Sequence, residues 1–348
     1  MAYTNIDDPS AFFQVALYTA TGSNLSITND GNSDLQPDLI WFKRRDSTTV
    51  HAWFNSSIGR GTFIYTPGSA AEITCAAGYE LLTFDSDGFS LGLNQHGVTN
   101  SSGTRVAWQW KANAGSTSSN TAGSTTTTVQ VNQDAGFSIV TYVGNGNAAN
   151  QTLGHGLGVA PDVIISKRRG ATTDWLVYHK SLGVGYIIYL SENLAASTSS
   201  PPYKDTPTST VFSTQNQFQA TDNFVSYCFA EKQGYSKFGK YVGNGNANGP
   251  FIYTGFKPAF VLVKSSSATH NWHILDNKRD PENVVDKYVN PDNAAAEDTF
   301  TFGDFLSNGF KWRSSSGTSF NESGTSYIYM AFAENPFVTS TGIPTTAR

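Results

Sequence analysis

The stretch "PDLIWFKRR", residues 37–45, returns as "PDVIISKRR" at residues 161–169 and, shortened, as "PAFVLVK" at residues 258–264. In each copy the alternate positions are apolar on both sides, the pattern of a central strand covered front and back. The copies share a register. Tyr18 in "ALYTATG" and Tyr142 in "TYVGNG" are 142 − 18 = 124 residues apart, and Pro37 and Pro161 are 161 − 37 = 124 apart. The third copy runs from Tyr241 to Pro258, at offsets of 241 − 142 = 99 and 258 − 161 = 97 from the second, so loops shorten while motif order persists.

Each copy continues into a tryptophan segment, at Trp53, Trp175 and Trp272, and closes on an apolar strand: "RVAWQWK", "FVSYCFAE" and "YIYMAFAE". Hairpins "FDSDGFSLG" and "FLSNGFKW" precede the first and third closing strands. A period of two puts Val106, Trp108 and Trp110 on one face, with Val225, Tyr227 and Phe229, then Ile328, Met330 and Phe332, in the matching places. The other face carries Gln109, Cys228 and Ala331. Helical periodicity longer than two turns is scarce. Short strands with Gly, Asn and Asp turns predict an all-β chain of tandem β-sandwich domains, three related units of jelly-roll or lectin-like kind.

The expected boundaries are unit 1 at residues 1–112, a Ser/Thr/Gly-rich linker at 113–130, unit 2 at 131–232, unit 3 at 233–337 and a tail at 338–348. The linker, "NAGSTSSNTAGSTTTTVQ", is too polar to bury its own core and is expected to lie on another surface. Only "KQGYS" joins units 2 and 3, so those two are expected to be rigidly coupled.

Composition narrows the function classes. Only 14% of the 348 residues are charged, against roughly 25% in ordinary soluble domains, and 32 glycines help fill the deficit. A net charge of −5 argues against a nucleic-acid partner, since phosphate affinity needs clustered Lys and Arg. No apolar run reaches the length of a membrane-spanning helix, and "MAYTNIDDPS" does not read as a secretion signal. Cys75 and Cys228 fall in different units and are read as unpaired.

The "GNGN" loops at 144–147 and 243–246 read as turns rather than phosphate cradles, because no amphipathic helix follows either one. "DSDGF", with Asp85 and Asp87, lacks the remaining ligands of a calcium loop, and the third copy places "SNGF" in the same slot. His51, His96, His155, His179, His270 and His273 show no metal spacing, and "HNWH" places His270 and His273 on opposite strand faces. These readings predict no metal, no cofactor and no catalytic residue. Candidate surface contacts are two basic triplets, Lys43, Arg44, Arg45 and Lys167, Arg168, Arg169, and the stretch Lys311, Trp312, Arg313, in which Trp312 is the expected exposed aromatic. The triplets are weighed as solvated strand ends against contacts for an acidic surface or polysaccharide.

Taken together, "IDDPSAFFQVALYT", "PDLIWFKRR", "SDGFSLG", "VAWQWKAN", "FGKYVGNGNANGPFIYTGFKPAFVLVKSS" and "YIYMAFAENPF" resemble a repeat domain of virion proteins of marine tailed phages, from about residue 5 to the end. The resemblance implies a concanavalin-A-like sandwich and a virion location, and it supplies no catalytic residue. The expected function is a non-enzymatic phage structural protein, a tail-fibre or receptor-binding component presenting its domains to host surface polysaccharide. The alternative is a capsid or tail decoration protein that cements the particle, and a polysaccharide depolymerase is the weakest reading. Exposed sheet edges and few protecting charges add an expected homotrimer in contact with other virion proteins.

Overall fold

The three closing strands are the centre of the architecture. In the computed structural model, which describes residues 3–146, 151–215, 221–315 and 319–345, each closing strand lies between the first strand of its unit and the central strand. Unit 1 orders Phe13–Ala20, Gly103–Trp110, Leu39–Arg44 and Ala52–Asn55; unit 2 orders Phe137–Val143, Asn223–Phe229, Val163–Arg168 and Leu176–His179. Unit 3 orders Ser236–Val242, Ser326–Pro336, Phe256–Ser265 and His273–Asp276, and every pairing is antiparallel. The chain is all-β, built of three sandwich units.

One face of each of these inner sheets turns toward the other two. A single core holds Trp41, Trp53, Trp108 and Trp110 of unit 1, Ile165, Trp175, Tyr227 and Phe229 of unit 2, and Phe260, Trp272, Met330 and Phe332 of unit 3. Trp110, Phe229 and Phe332 pair with Leu39, Val163 and Phe260, which follow the same offsets of 124 and 97 residues, so they are equivalent. Their rings form a triangle with centroid separations of 6.4, 5.6 and 5.9 Å. The three units therefore surround a pseudo-threefold axis within one chain. Truncating one apex to alanine costs about 3–5 kcal/mol, since all three sheets contact the void.

The opposite face of each inner sheet packs on a small outer sheet. Leu25–Ile27, Gly88–Leu91 and Leu81–Asp85 cover unit 1; Gln151–Gly154 and Val211–Thr214 cover unit 2. Unit 3 carries Phe251–Tyr253, Gly309–Trp312, Asp298–Leu306 and Val285–Tyr288 in that order. Double coverage explains why Leu39–Arg44 and Phe256–Ser265 are buried along nearly their whole length.

Two expectations change. Thr127–Asn132 of the linker is a strand paired to Phe137–Val143, and Ser118–Asn120 pairs to it in turn. The β-branched residues of "TTTTVQV" favour that extended pairing, and Val129 reaches the unit 2 core. The linker is thus the edge of unit 2's sheet, tied to unit 1 where Gln130 donates to the Ser56 and Ser57 hydroxyls. In the tail, Ser340 donates to the Asp7 carboxylate, its backbone N–H at 2.6 Å. The tryptophan segments are also offset: Trp53 pairs with Trp41, whereas Val177 (53 + 124) pairs with Ile165, so His51 stands at the level of Trp175 (51 + 124). The threefold arrangement is made by three units of one chain through their sheet faces, and strands such as Phe13–Ala20 and Ser236–Val242 remain sheet edges.

The turn reading of "GNGN" fits the third unit. There Asn244 Oδ1 accepts from the Asn246 N–H at 3.0 Å, Asn246 Oδ1 accepts from the Asn248 N–H at 2.8 Å, and Gly245 has φ +64. In unit 2 the end of the equivalent loop, residues 147–150, lies outside the described residues. Both cysteines are buried and unpaired.

Candidate functional site

The basic triplets sit at the seams between units. Lys43 and Lys167 are wholly buried. Lys43 Nζ donates to the Thr49 carbonyl and, at 3.1 Å, to the Ala294 carbonyl of unit 3. Lys167 Nζ reaches the Ser69 carbonyl of unit 1 at 3.2 Å, and Lys264 Nζ the Asn193 carbonyl of unit 2 at 3.1 Å. Each lysine crosses to the next unit around the ring. Burial pushes their ammonium groups down to about 7 for Lys43 and about 8 for Lys167 and Lys264. These side chains do not meet a ligand at the surface.

The arginines divide two tasks. Arg44 and Arg168 pair with Asp46 and Asp222 of their own units at 2.6 and 2.8 Å. Arg45 bridges to Glu297 of unit 3 through two bonds of 2.9 Å, and Arg169 bridges to Glu72 of unit 1 at 2.7 Å. Backbone bonds repeat the same seam three times: Glu72 N–H to the Arg169 carbonyl, Ala196 N–H to that of Ser266, and Glu297 N–H to that of Arg45. In the third copy Ser266 stands where arginine stands in the others, and its seam partner Ala196 offers no carboxylate.

Two further sets of contacts repeat at the seams. Trp175 Nε1 donates to the Tyr65 carbonyl at 2.6 Å and Trp272 Nε1 to the Tyr189 carbonyl at 2.8 Å. His51 fills the third place, its ring beside the Asn290 carbonyl although Nε2 falls short of hydrogen-bonding geometry. Deeper in, Asn55 donates to the Tyr227 hydroxyl, the His179 Nε2 lies 3.2 Å from the Tyr329 carbonyl, and Trp108 Nε1 donates to Asp276. Asp276 is held by Arg279 at 2.6 Å, both wholly buried, with the guanidinium 5.5 Å from the Trp108 ring centroid. Buried charge here is paired and structural.

Trp312 also departs from expectation. It is 1% exposed, packed between Phe310, Phe320 and Tyr241 in the unit 3 core. Lys311 and Arg313 point the other way, to Asn248 at 2.6 Å and Asp304 at 2.5 Å. Their face carries what the sequence reading missed. Phe251 and Tyr253, two residues apart on the edge strand of the outer sheet, are 46% and 53% exposed on one face, opposite Lys311 and Gly309 in register. Tyr3 extends the patch, its hydroxyl 3.1 Å from that of Tyr253 and donating to the Gly255 carbonyl at 2.8 Å. The alternation in "PFIYTG", with Ile252 buried between two exposed aromatics, was the signal for it.

A polar cleft of about 190 Å³ lies between units 1 and 3, and its acids are engaged: Asp8 by Ser10 and Ser33, Asp30 by Lys278, and Glu334 by Lys257. Among the described residues no three His, Cys, Asp or Glu side chains converge as metal ligands. The exposed Phe251 and Tyr253, with the part-buried Tyr3 beside them and an ammonium and an amide at the flank, form a surface suited to the C–H faces of a polar ring compound. No curated protein and no solved structure matches the chain. One family model runs through all three units, residues 8–336, in keeping with their shared core, and the chain belongs to that family, described as a domain of unknown function (DUF7483).

Proposed function

We propose that this chain is a non-enzymatic structural protein of a marine tailed-phage particle, and that unit 3 attaches it to polysaccharide on the host surface. The observation that carries the reading is the aromatic face of Phe251, Tyr253 and Tyr3 beside Lys311 and Asn248. Two large apolar side chains side by side on a solvent-facing sheet are an exposed patch rather than scattered surface residues. Sugar rings offer such a patch C–H faces for stacking and hydroxyls for the flanking donors. The low charge content and the resemblance of the strand and turn motifs to those of phage virion repeats support the same setting.

The alternative, a decoration protein that cements the particle, is favoured by the closure of three units into one body, which suits a repeated shell component. In that case the aromatic face seats on a neighbouring virion protein. Retention of the full chain on host envelope polysaccharide separates the two. The double variant Phe251→Ala/Tyr253→Ala is expected to lose retention with an unchanged unfolding midpoint; undiminished retention by the double variant, or no retention of the parent chain, overturns the attachment reading.

A further inference from the structure

The three seams are not closed alike. Asp38 and Asp162 hold equivalent places, 162 − 38 = 124 residues apart, and each does the same two things. Its Oδ2 accepts from the chain leaving the closing strand, at the Ala112 and Glu231 N–H groups, both at 2.7 Å. Its Oδ1 accepts from the side chain that follows the neighbouring strand, Ser56 at 2.6 Å in unit 1 and Lys180 at 3.0 Å in unit 2. From there the bonds run on into the next unit. Gln130 donates to the Ser56 hydroxyl at 2.8 Å, and Lys180 holds Glu231, which accepts from the Phe238 N–H at 2.7 Å. In unit 3 the aspartate's place falls to Ala259 (162 + 97 = 259), and Asn277 (180 + 97 = 277) follows the strand. The equivalence is visible in the backbone: the Ser56, Lys180 and Asn277 N–H groups donate to the carbonyls of Asp38, Asp162 and Ala259. Alanine brings no carboxylate, and here the cleft of about 190 Å³ between units 3 and 1 opens, with Ala259, Asn277 and Asn335 on one side and Asn32 on the other.

The side-chain carboxamides of Asn32, Asn277 and Asn335 hydrogen-bond no other described residue, and all three are accessible, Asn32 exposed and the other two half-buried. Each offers a donor and an acceptor side by side. The carboxylates of the lining are engaged, Asp8 by Ser10 and Ser33, Asp30 by Lys278 and Glu334 by Lys257, which leaves no free pair for a cation. Three acids against one ammonium in the lining disfavour an anion. Phe13, Val15 and Ala333 are only 3%, 4% and 2% exposed, so the cleft has no apolar wall to give an apolar ligand. What fits is a neutral compound whose groups both donate and accept, and a ring of adjacent hydroxyls has that chemistry. The space is below the ~300 Å³ at which drug-sized pockets begin, room for one ring. We propose that the cleft between units 3 and 1 is a subsite for one neutral sugar ring, its hydroxyls paired with the carboxamides of Asn32, Asn277 and Asn335. It rests on the attachment reading and deepens it, adding a hydroxyl-reading site at the seam to the stacking face of Phe251 and Tyr253.

The full chain with ¹⁵N-labelled asparagine tests this by magnetic resonance, the three carboxamides being assigned from Asn32→Ser, Asn277→Ser and Asn335→Ser. Titration with methyl glycosides of glucose, galactose, mannose and N-acetylglucosamine is expected to move all three resonances with a dissociation constant of about millimolar order, as suits a single ring. Asn277→Ser is expected to weaken the response of the other two about tenfold, and Phe251→Ala/Tyr253→Ala to leave all three unchanged. Ala259→Asp supplies the carboxylate of the other two seams and is expected to engage Asn277 and abolish the response without lowering the urea midpoint. Should the midpoint fall, Asn277→Ser decides alone. No movement with any glycoside up to about 50 mM, or an undiminished response in Asn277→Ser or in folded Ala259→Asp, overturns the proposal. The two readings fail separately. Retention on polysaccharide with silent carboxamides sinks the seam subsite alone, whereas responsive carboxamides without retention sink the attachment alone.

Discussion

Glu297 is held by arginines of two units at one seam, and its removal measures what such a contact contributes. It receives two bonds of 2.9 Å from Arg45 across the unit 1 and unit 3 seam, and the wholly buried Arg279 approaches it at 3.3 Å. Glu297→Ala leaves Arg45 without a hydrogen-bonded carboxylate, and its guanidinium is mostly shielded from water. Breaking a pair of this kind costs about 3 kcal/mol, the lower end for buried pairs, because water still reaches part of Arg45. Glu72 holds Arg169 through one bond of 2.7 Å and is more exposed, so Glu72→Ala is expected to cost about 1 kcal/mol. Equilibrium urea unfolding of the full chain reads both losses, with the slope unchanged if only stability is altered. Equal losses from the two variants, or a loss below about 1 kcal/mol for Glu297→Ala, would refute the seam argument.

The third seam offers the converse experiment: Ala196→Glu with Ser266→Arg is expected to raise stability by about 0.5–1 kcal/mol over either single variant, read as the coupling energy of a double-mutant cycle, and zero coupling would contradict the equivalence of the seams. Acid is expected to weaken the fold, because burial lowers His179 to about 4 and His273 to about 3, so the unfolded chain takes up protons first as pH falls below the ordinary histidine value. Each contributes a loss on the order of 2–3 kcal/mol by about pH 4.5, partly offset by Asp292, whose carboxyl is raised by burial to about 7 and runs in the opposite sense. His179→Asn, the residue at this place in unit 1, is expected to flatten the pH dependence of the urea midpoint, and an unchanged slope would remove His179 from the explanation.

Strand faces were legible in the sequence because a period of two records that a side is buried. What buries it leaves no trace in that period. Val106, Trp108 and Trp110 read as a core face, yet nothing local distinguishes a core inside one sandwich from one shared by three. The "KRR" triplets misled for a related reason. Charge near a strand end ordinarily means solvent, and only the fold brings Ala294, Ser69 and Glu297 against Lys43, Lys167 and Arg45. Trp312 was recoverable: in "KWR" the period of two sets tryptophan opposite both charges, and inward is where it points. Phe251 and Tyr253 were recoverable by the same rule applied to "FIY". The contact of His273 was not, since its Nδ1 meets Asn290, seventeen residues away along the chain.

The central claim is that three units share one core and open as one body, and native-state hydrogen exchange of the full chain under increasing urea tests it most directly. Peptides covering Gly103–Trp110, Asn223–Phe229 and Ser326–Pro336 are expected to exchange through a single opening with the same free energy and the same urea dependence, because Trp110, Phe229 and Phe332 lose one another's contacts together. Exchange of one closing strand at distinctly lower free energy, while the other two stay protected, would show three tethered sandwiches and contradict the account.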